Sequence, residues 1–276
     1  MRDDELKSIT DYPDGQREAA TRVIVELANI LSEYERDIMI IGGWVPELLF
    51  PNKGHVGSID VDLLLNHLNL EEHTYNTIER ILLRNGYRKH PEKYFTFTKY
   101  VTVDHVEYPV DVDILAGMYG GTTEEHRSQH IQGLRAVKAT GGNFAFEVPA
   151  LKVTVDAKRP DGARDSGTIN VVSIVPYLMM KAAALRRGKA KDAYDIYFCI
   201  KNYPGGVEKL ANEFRPFLGH GLVRKQLENL RSKFASIDHA GPADVVAFLE
   251  IYDEEEQEII RRDVYEHVAR FLETLS

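Results

Sequence analysis

The stretch Gly42 to Leu65 reads GGWVPELLFPNKGHVGSIDVDLLL, and it restricts the fold more than any other part of the chain. A glycine pair, a serine and two aspartates two residues apart stand in one run. Asp37 to Ile41 (DIMII) has the composition of a buried strand, and Gly42-Gly43 ends it before a short helix expected over Trp44 to Phe50. Glycine lets backbone approach an anion closely, and free N–H groups at a helix start carry partial positive charge. A glycine pair alone is equally an ordinary turn. Ser58 to Leu65 has strand composition, and period-2 alternation sends Asp60 and Asp62 to one face and Ile59, Val61 and Leu63 to the other. Two carboxylates about 7 Å apart on one strand face repel each other unless a cation sits between them. A hard divalent ion such as Mg²⁺ takes a few carboxylate oxygens together with substrate phosphate. The plain alternative is a solvated strand face, against which the following run of three leucines argues.

A second strand of the same kind is expected at Tyr108 to Leu115, YPVDVDIL, where Asp111 and Asp113 again share one face. Between the two acidic strands, Glu71 to Asn85 reads as a helix stopped by Gly86, and Tyr94 to Val101 alternates as a strand able to pair with Val106 to Ala116 as a hairpin. Upstream, Ala19, Val23, Leu27, Ile30 and Tyr34 recur at helical spacing over Gln16 to Tyr34. Downstream, Lys152 to Lys158 and Thr168 to Ser173 alternate on either side of Pro160-Asp161-Gly162, which predicts a hairpin. His126 and His130 have the i, i+4 spacing that could hold a metal on a helix, but with no third ligand nearby they read as a solvated surface.

From Val175 the chain turns to helical patterning, and the domain boundary is drawn there: residues 1–175 as one domain and 176–276 as a helical one. In Tyr177 to Arg187, Lys181 shares its stripe with Leu178 and Leu185, so it either snorkels or serves a ligand. Asp192, Asp195, Ile196 and Cys199 share a stripe on the next helix. Asp192 would also suit a helix N-terminus, and Lys181 could simply pair with an aspartate. Arg186, Arg187, Lys189 and Lys191 form a basic cluster between the two helices. The net charge of −9 speaks against a general nucleic-acid coat. The one cysteine excludes an internal disulfide, and the absence of a long apolar run predicts a cytoplasmic protein with no membrane span.

Gly42-Gly43, a spacer of fourteen residues, Ser58-Ile59-Asp60-Val61-Asp62 and a third acid on a later strand together resemble the DNA polymerase β-like nucleotidyltransferase superfamily. Lys181, Arg187 and Lys191-Asp192-Ala193-Tyr194-Asp195 further resemble the helical segment of AbiEii-type nucleotidyltransferases of abortive-infection and toxin–antitoxin pairs. Where many of those relatives carry an arginine just before the serine, this chain has His55-Val56-Gly57. The resemblance implies an α+β fold, with a mixed β-sheet flanked by helices and a helical domain after it. It implies Mg²⁺ or Mn²⁺ held by Asp60, Asp62 and Asp113, with Asp111 as the alternate to Asp113. Gly42, Gly43 and Ser58 would cradle nucleotide phosphates, Lys181 and Arg187 would add positive charge there, and Lys181 and Asp192 would be essential. The implied reaction moves a nucleoside monophosphate from a nucleoside triphosphate, ATP among them, to a hydroxyl of tRNA or protein, with an antitoxin protein as partner. The same core also serves small-molecule, aminoglycoside-type nucleotidyltransferases and non-catalytic nucleotide-binding proteins.

Overall fold

Ile38–Ile41 forms β1 with all four residues buried, the pattern of a strand covered on both faces. The computed structural model describes residues 6–66, 72–117, 128–131 and 134–275. They divide into two units. One comprises residues 12–49 and 57–176, the other residues 177–275 together with residues 6–11 and 50–56.

In the first unit α1 (Asp14–Ile30) precedes β1. Next come α2 (Val45–Leu49), β2 (Val61–Leu65), α3 (Glu72–Arg84), β3 (Arg88–Lys89), β4 (Thr96–Val103) and β5 (Val106–Gly117). β6 (Ser128–Ile131), β7 (Leu134–Ala139), α4 (Gly142–Glu147), β8 (Leu151–Lys158) and β9 (Arg164–Val171) complete it. Among the described residues nine strands make one sheet with the path β3-β4-β5-β2-β1-β9-β8, to which β7 joins at β5 and β6 at β7. β1 runs antiparallel to β2 and parallel to β9, while β2 runs parallel to β5 and β5 antiparallel to β4. The sheet is therefore mixed and the fold α+β, as the sequence led one to expect.

The amphipathic stripe of α1 buries Ala19, Ala20, Val23, Ile24 and Leu27. Each buried Val, Ile or Leu contributes roughly 1.5–3 kcal/mol. The helix lies close on β9 because Gly167 has no side chain; a Cβ there would stand 2.6 Å from that of Ala28. α1 ends at Ile30, and Ser32–Asp37 continues as a 3-10 helix rather than carrying the α-helix to Tyr34. β4 and β5 form the expected hairpin. Its two turn residues, Asp104 and His105, both adopt left-handed backbone (φ 48° and 67°), which suits the twist of the flanking strands. The β8–β9 hairpin is longer than the alternation suggested, because β9 begins at Arg164. Arg159 N–H donates to Ala163 O at 2.8 Å and Gly162 N–H to Arg159 O at 2.9 Å, closing a three-residue loop with Gly162 left-handed.

Two other expectations are corrected. The glycine pair leads into a 3-10 turn, Gly42–Trp44, and then the five-residue α2, so little helix dipole gathers there. β2 begins at Val61, which leaves Ser58 to Asp60 ahead of the strand. His130 lies in a strand and His126 outside the described residues.

The second unit takes α5 (Ile174–Ala184) from Tyr177 onward, then α6 (Ala190–Asn202), α7 (Gly206–Phe214), α8 (Gly221–Lys233), α9 (Ala240–Leu249) and α10 (Glu254–Thr274). Every residue of α6 from Asp192 to Ile200 is buried, and α7, α9 and α10 pack around it. The acidic run opens α10: the Asp253 side chain accepts Glu256 N–H at 2.9 Å. Such a cap is worth about 1 kcal/mol. Two segments from before residue 175 fall with the helices, residues 6–11 and 50–56. Phe50–Val56 belongs with the helices, because His55 bonds to α6 and stacks on its aromatic side chains.

Candidate functional site

In the sheet unit, strand pairing brings the acids of the two motifs together. Ile41 pairs with Asp62, Asp62 with Asp113, and Asp113 with Thr96 across four neighbouring strands. Register partners project from the same face, so Asp62 and Asp113 stand side by side with their strands about 4.8 Å apart. Thr96 Oγ1 donates to Asp113 Oδ1 at 2.5 Å from a buried position and fixes that carboxylate's rotamer. Asp111 sits one row away. It accepts Thr98 Oγ1 at 2.7 Å and has Lys93 Nζ at 4.0 Å. Asp113, then, is the acid opposite Asp62. Asp60 precedes the strand and takes a 2.5 Å hydrogen bond from Ser58 Oγ, itself buried.

The turn after β1 presses on this pair. Gly42 has φ +75°, and a Cβ built on it would lie 1.8 Å from Asp62 Oδ2 and 2.7 Å from Asp62 Cγ. Only glycine fits there, for both conformation and space. Gly42→Ala should therefore displace the Asp62 carboxylate and cost more than about 1 kcal/mol. A calorimetric melting temperature equal to wild type would show that the turn gives way without cost.

In the helical unit a second cluster forms around Asp195, which is fully buried. Lys181 Nζ lies 2.7 Å from Asp195 Oδ2 and 2.8 Å from Asp192 Oδ1. Lys191 Nζ lies 3.1 Å from Asp195 Oδ1, and His55 Nε2 3.0 Å from the same oxygen. Tyr177 OH donates to Asp195 Oδ2 at 3.4 Å, and the largely exposed Arg187 reaches Asp192 Oδ2 at 3.3 Å. Two ammonium groups on side chains that are 12% exposed thus meet two buried carboxylates. Burial by itself would raise the Asp195 carboxyl pKa, but Lys181, Lys191 and His55 hold it well below the carboxylate range. Burial likewise disfavours the Lys181 charge, and Asp192 and Asp195 more than reverse this. The Cys199 thiol is pushed far up by burial and then by Asp195, which leaves it inert.

No family model, curated protein or solved structure matches this chain. The chemistry must be read from the two clusters themselves. Among the described residues, no three His, Cys, Asp or Glu side chains converge as a ready-made metal set. The three-carboxylate cage implied by the resemblance is therefore not preformed. Mg²⁺, however, commonly binds through one or two carboxylates plus the phosphates of its substrate. The Asp62–Asp113 pair, beside a turn without a Cβ at Gly42, offers the two carboxylates that such an ion takes from a protein. Lys181, Asp192 and Arg187 lie in the other unit and there engage one another.

His55 and Lys191 stand at Asp195, although the motifs assigned them no role there: Lys191 read as part of a basic cluster, and His55 as a residue standing where many proteins of the AbiEii type carry an arginine. Lys191 could have been found from its i, i+4 spacing to Asp195. His55 stacks on Tyr194 (centroids 5.3 Å apart) and meets Phe198 edge-on at 4.7 Å. Burial pushes its imidazole pKa down to about 4, against the pull of Asp195, so the ring is neutral and its Nε2–H donates to the carboxylate. The folded protein keeps His55 neutral where the unfolded chain would protonate it below about 6.5. Stability should be complete above that pH and fall by up to about 3 kcal/mol as pH drops to about 4. Urea midpoints measured across this window should slope downward for wild type and stay flatter for His55→Gln; parallel slopes would remove His55 as the cause.

Proposed function

We propose that the sheet unit carries a metal-dependent nucleotidyltransferase site, which moves a nucleoside monophosphate from a nucleoside triphosphate to an acceptor hydroxyl. The observation that carries this reading is the direct register pairing of Asp62 with Asp113, with Gly42 set against the Asp62 carboxylate. Asp62 and Asp113, with Asp60 two residues before, would hold Mg²⁺ or Mn²⁺. Such an ion, when bound, neutralises phosphate charge and lowers the pKa of a nearby hydroxyl. The chain's own residues supply position and proton transfer. Thr96 orients Asp113, whose carboxylate takes the acceptor's proton as the hydroxyl oxygen bonds to the α-phosphorus. The bond to the β-phosphate oxygen breaks in line, and pyrophosphate leaves. Ser58 holds Asp60 in place, and Gly42, having no Cβ, lets the Asp62 carboxylate stand against the turn. By the motif resemblance, Gly42, Gly43 and Ser58 would meet the nucleotide's phosphates.

The acceptor follows from the motif resemblance to the AbiEii type: a tRNA end or a protein hydroxyl, in a toxin held in check by an antitoxin. Lys181, Asp192 and Arg187 enter the reading through that resemblance alone. The test presents the chain, with Mg²⁺ or Mn²⁺, with each of four α-labelled nucleotides together with total RNA, protein and an aminoglycoside panel. Label entering RNA or protein is the expected result, and bacterial growth should slow on expression. Label entering none of them would overturn the reading, and label in the drugs alone would move it to small-molecule transfer.

A further inference from the structure

The two ends of the sheet are built differently. At one end β3 is two residues long, and both are exposed and basic, which blunts that edge. At the other end β8 runs eight residues without proline, and β9 is its one strand partner among the described residues. The bond from Arg159 N–H to Ala163 O fixes the phase of the β8–β9 ladder, in which hydrogen-bonded pairs alternate. Odd-numbered residues of β8 bond to β9. The backbone N–H and C=O groups of Lys152, Thr154, Asp156 and Lys158 therefore point outward, and among the described residues no backbone bond from elsewhere reaches them. Their side chains are exposed, while Val153, Val155 and Ala157 are half-buried on the alternate positions.

We propose that β8 pairs antiparallel with β8 of a second copy of this chain, about a two-fold axis at Thr154. Among the two-fold registers that pair most of β8, the sequence LKVTVDAK is self-complementary in that one alone. Outward-facing residues must oppose outward-facing residues, so allowed two-fold registers differ by steps of two. Centred on Thr154, Lys152 faces Asp156 of the other copy twice, Val153 faces Val155, and Leu151 faces Ala157. Shifted one way, Lys152 faces Lys158 twice; shifted the other, Lys152 faces Thr154 and the ion pairs are lost. Opposite charges across strands stabilise and like charges oppose, so charge selects one register. Lys152, an edge lysine that would repel many strands, here becomes the specifying residue. Its existing contact with Glu35, 2.8 Å, is between exposed groups and leaves the ammonium open to a second carboxylate.

The test is sedimentation velocity of the full chain from about 1 to about 100 µM, since a seam of one strand pair gives a modest interface. Wild type should pass from monomer to dimer in that range. Lys152→Asp or Asp156→Lys alone should weaken the dimer at least about tenfold, because each sets like charges opposite one another twice. An equimolar mixture of the two single variants should dimerise again, since each then faces its opposite. Thr154→Pro, which removes an outward N–H and leaves the backbone bonds to β9 in place while losing the Thr154–Thr168 hydroxyl contact, should stay monomeric. Wild type that is monomeric throughout, a dimer indifferent to these changes, or a mixture that does not recover would each overturn the pairing.

Discussion

Asp62→Asn should lower nucleotidyl transfer by about a hundredfold to a thousandfold while leaving the protein as stable as wild type or slightly more so. The two effects have opposite origins in one feature. Asp62 and Asp113 are register partners on parallel strands, so their carboxylates repel in the free protein. Removing one charge relieves that repulsion and at the same time takes away a ligand for the divalent ion and misplaces the reacting oxygen. A structural aspartate would behave the other way, losing stability together with activity. Asp113→Asn should match Asp62→Asn. Asp111→Asn should keep most of the activity, because Asp111 is turned to Thr98 and Lys93 one row away. Label transfer and thermal melting on the three variants decide the matter. Loss of activity in Asp111→Asn with retention in Asp113→Asn would exchange their assignments, and full activity in Asp62→Asn would remove the site.

The sequence made some of this arrangement legible and hid the rest for reasons that can be named. The break after DIMII, the two acidic strands and the β4–β5 hairpin follow from local alternation and glycine placement. The register that sets Asp113 rather than Asp111 against Asp62 is a long-range pairing, and period-2 patterning is identical for both residues. The start of β2 at Val61 was hidden because Ser58 and Ile59 have strand composition, yet they follow Gly57, whose φ is +68°. Asp60 consequently answers to Ser58 rather than to a ladder. His55 was hidden more completely: it sits in a polar loop between Gly54 and Gly57, where no periodicity announces burial. Its contact with α6, together with Phe50 edge-on to Tyr203, shows why that loop belongs to the helical unit.

Lys181→Met should destabilise the protein by about 3 kcal/mol, the lower end of the cost of breaking a buried ion pair. In a chain of this size that corresponds to a fall in melting temperature of roughly 5–10 °C. From its apolar stripe alone, Lys181 would be expected to tolerate methionine and merely to bind nucleotide less well. The structure gives its ammonium two carboxylates instead, at 2.7 and 2.8 Å, with side-chain exposures of 0% for Asp195 and 4% for Asp192. Methionine keeps the stem and removes the charge. Asp195 would then rely on Lys191 and His55, and Asp192 on Arg187, whose side chain is 61% exposed and shields weakly. The surviving partners are why the expected cost falls at the lower end. Neutralising the carboxylate as well should recover part of it, so Lys181→Met/Asp195→Asn should be more stable than the sum of the single changes predicts. A Lys181→Met protein that melts with wild type but fails to bind nucleotide in calorimetry would instead show that the ammonium serves the triphosphate and that the two aspartates do not need it.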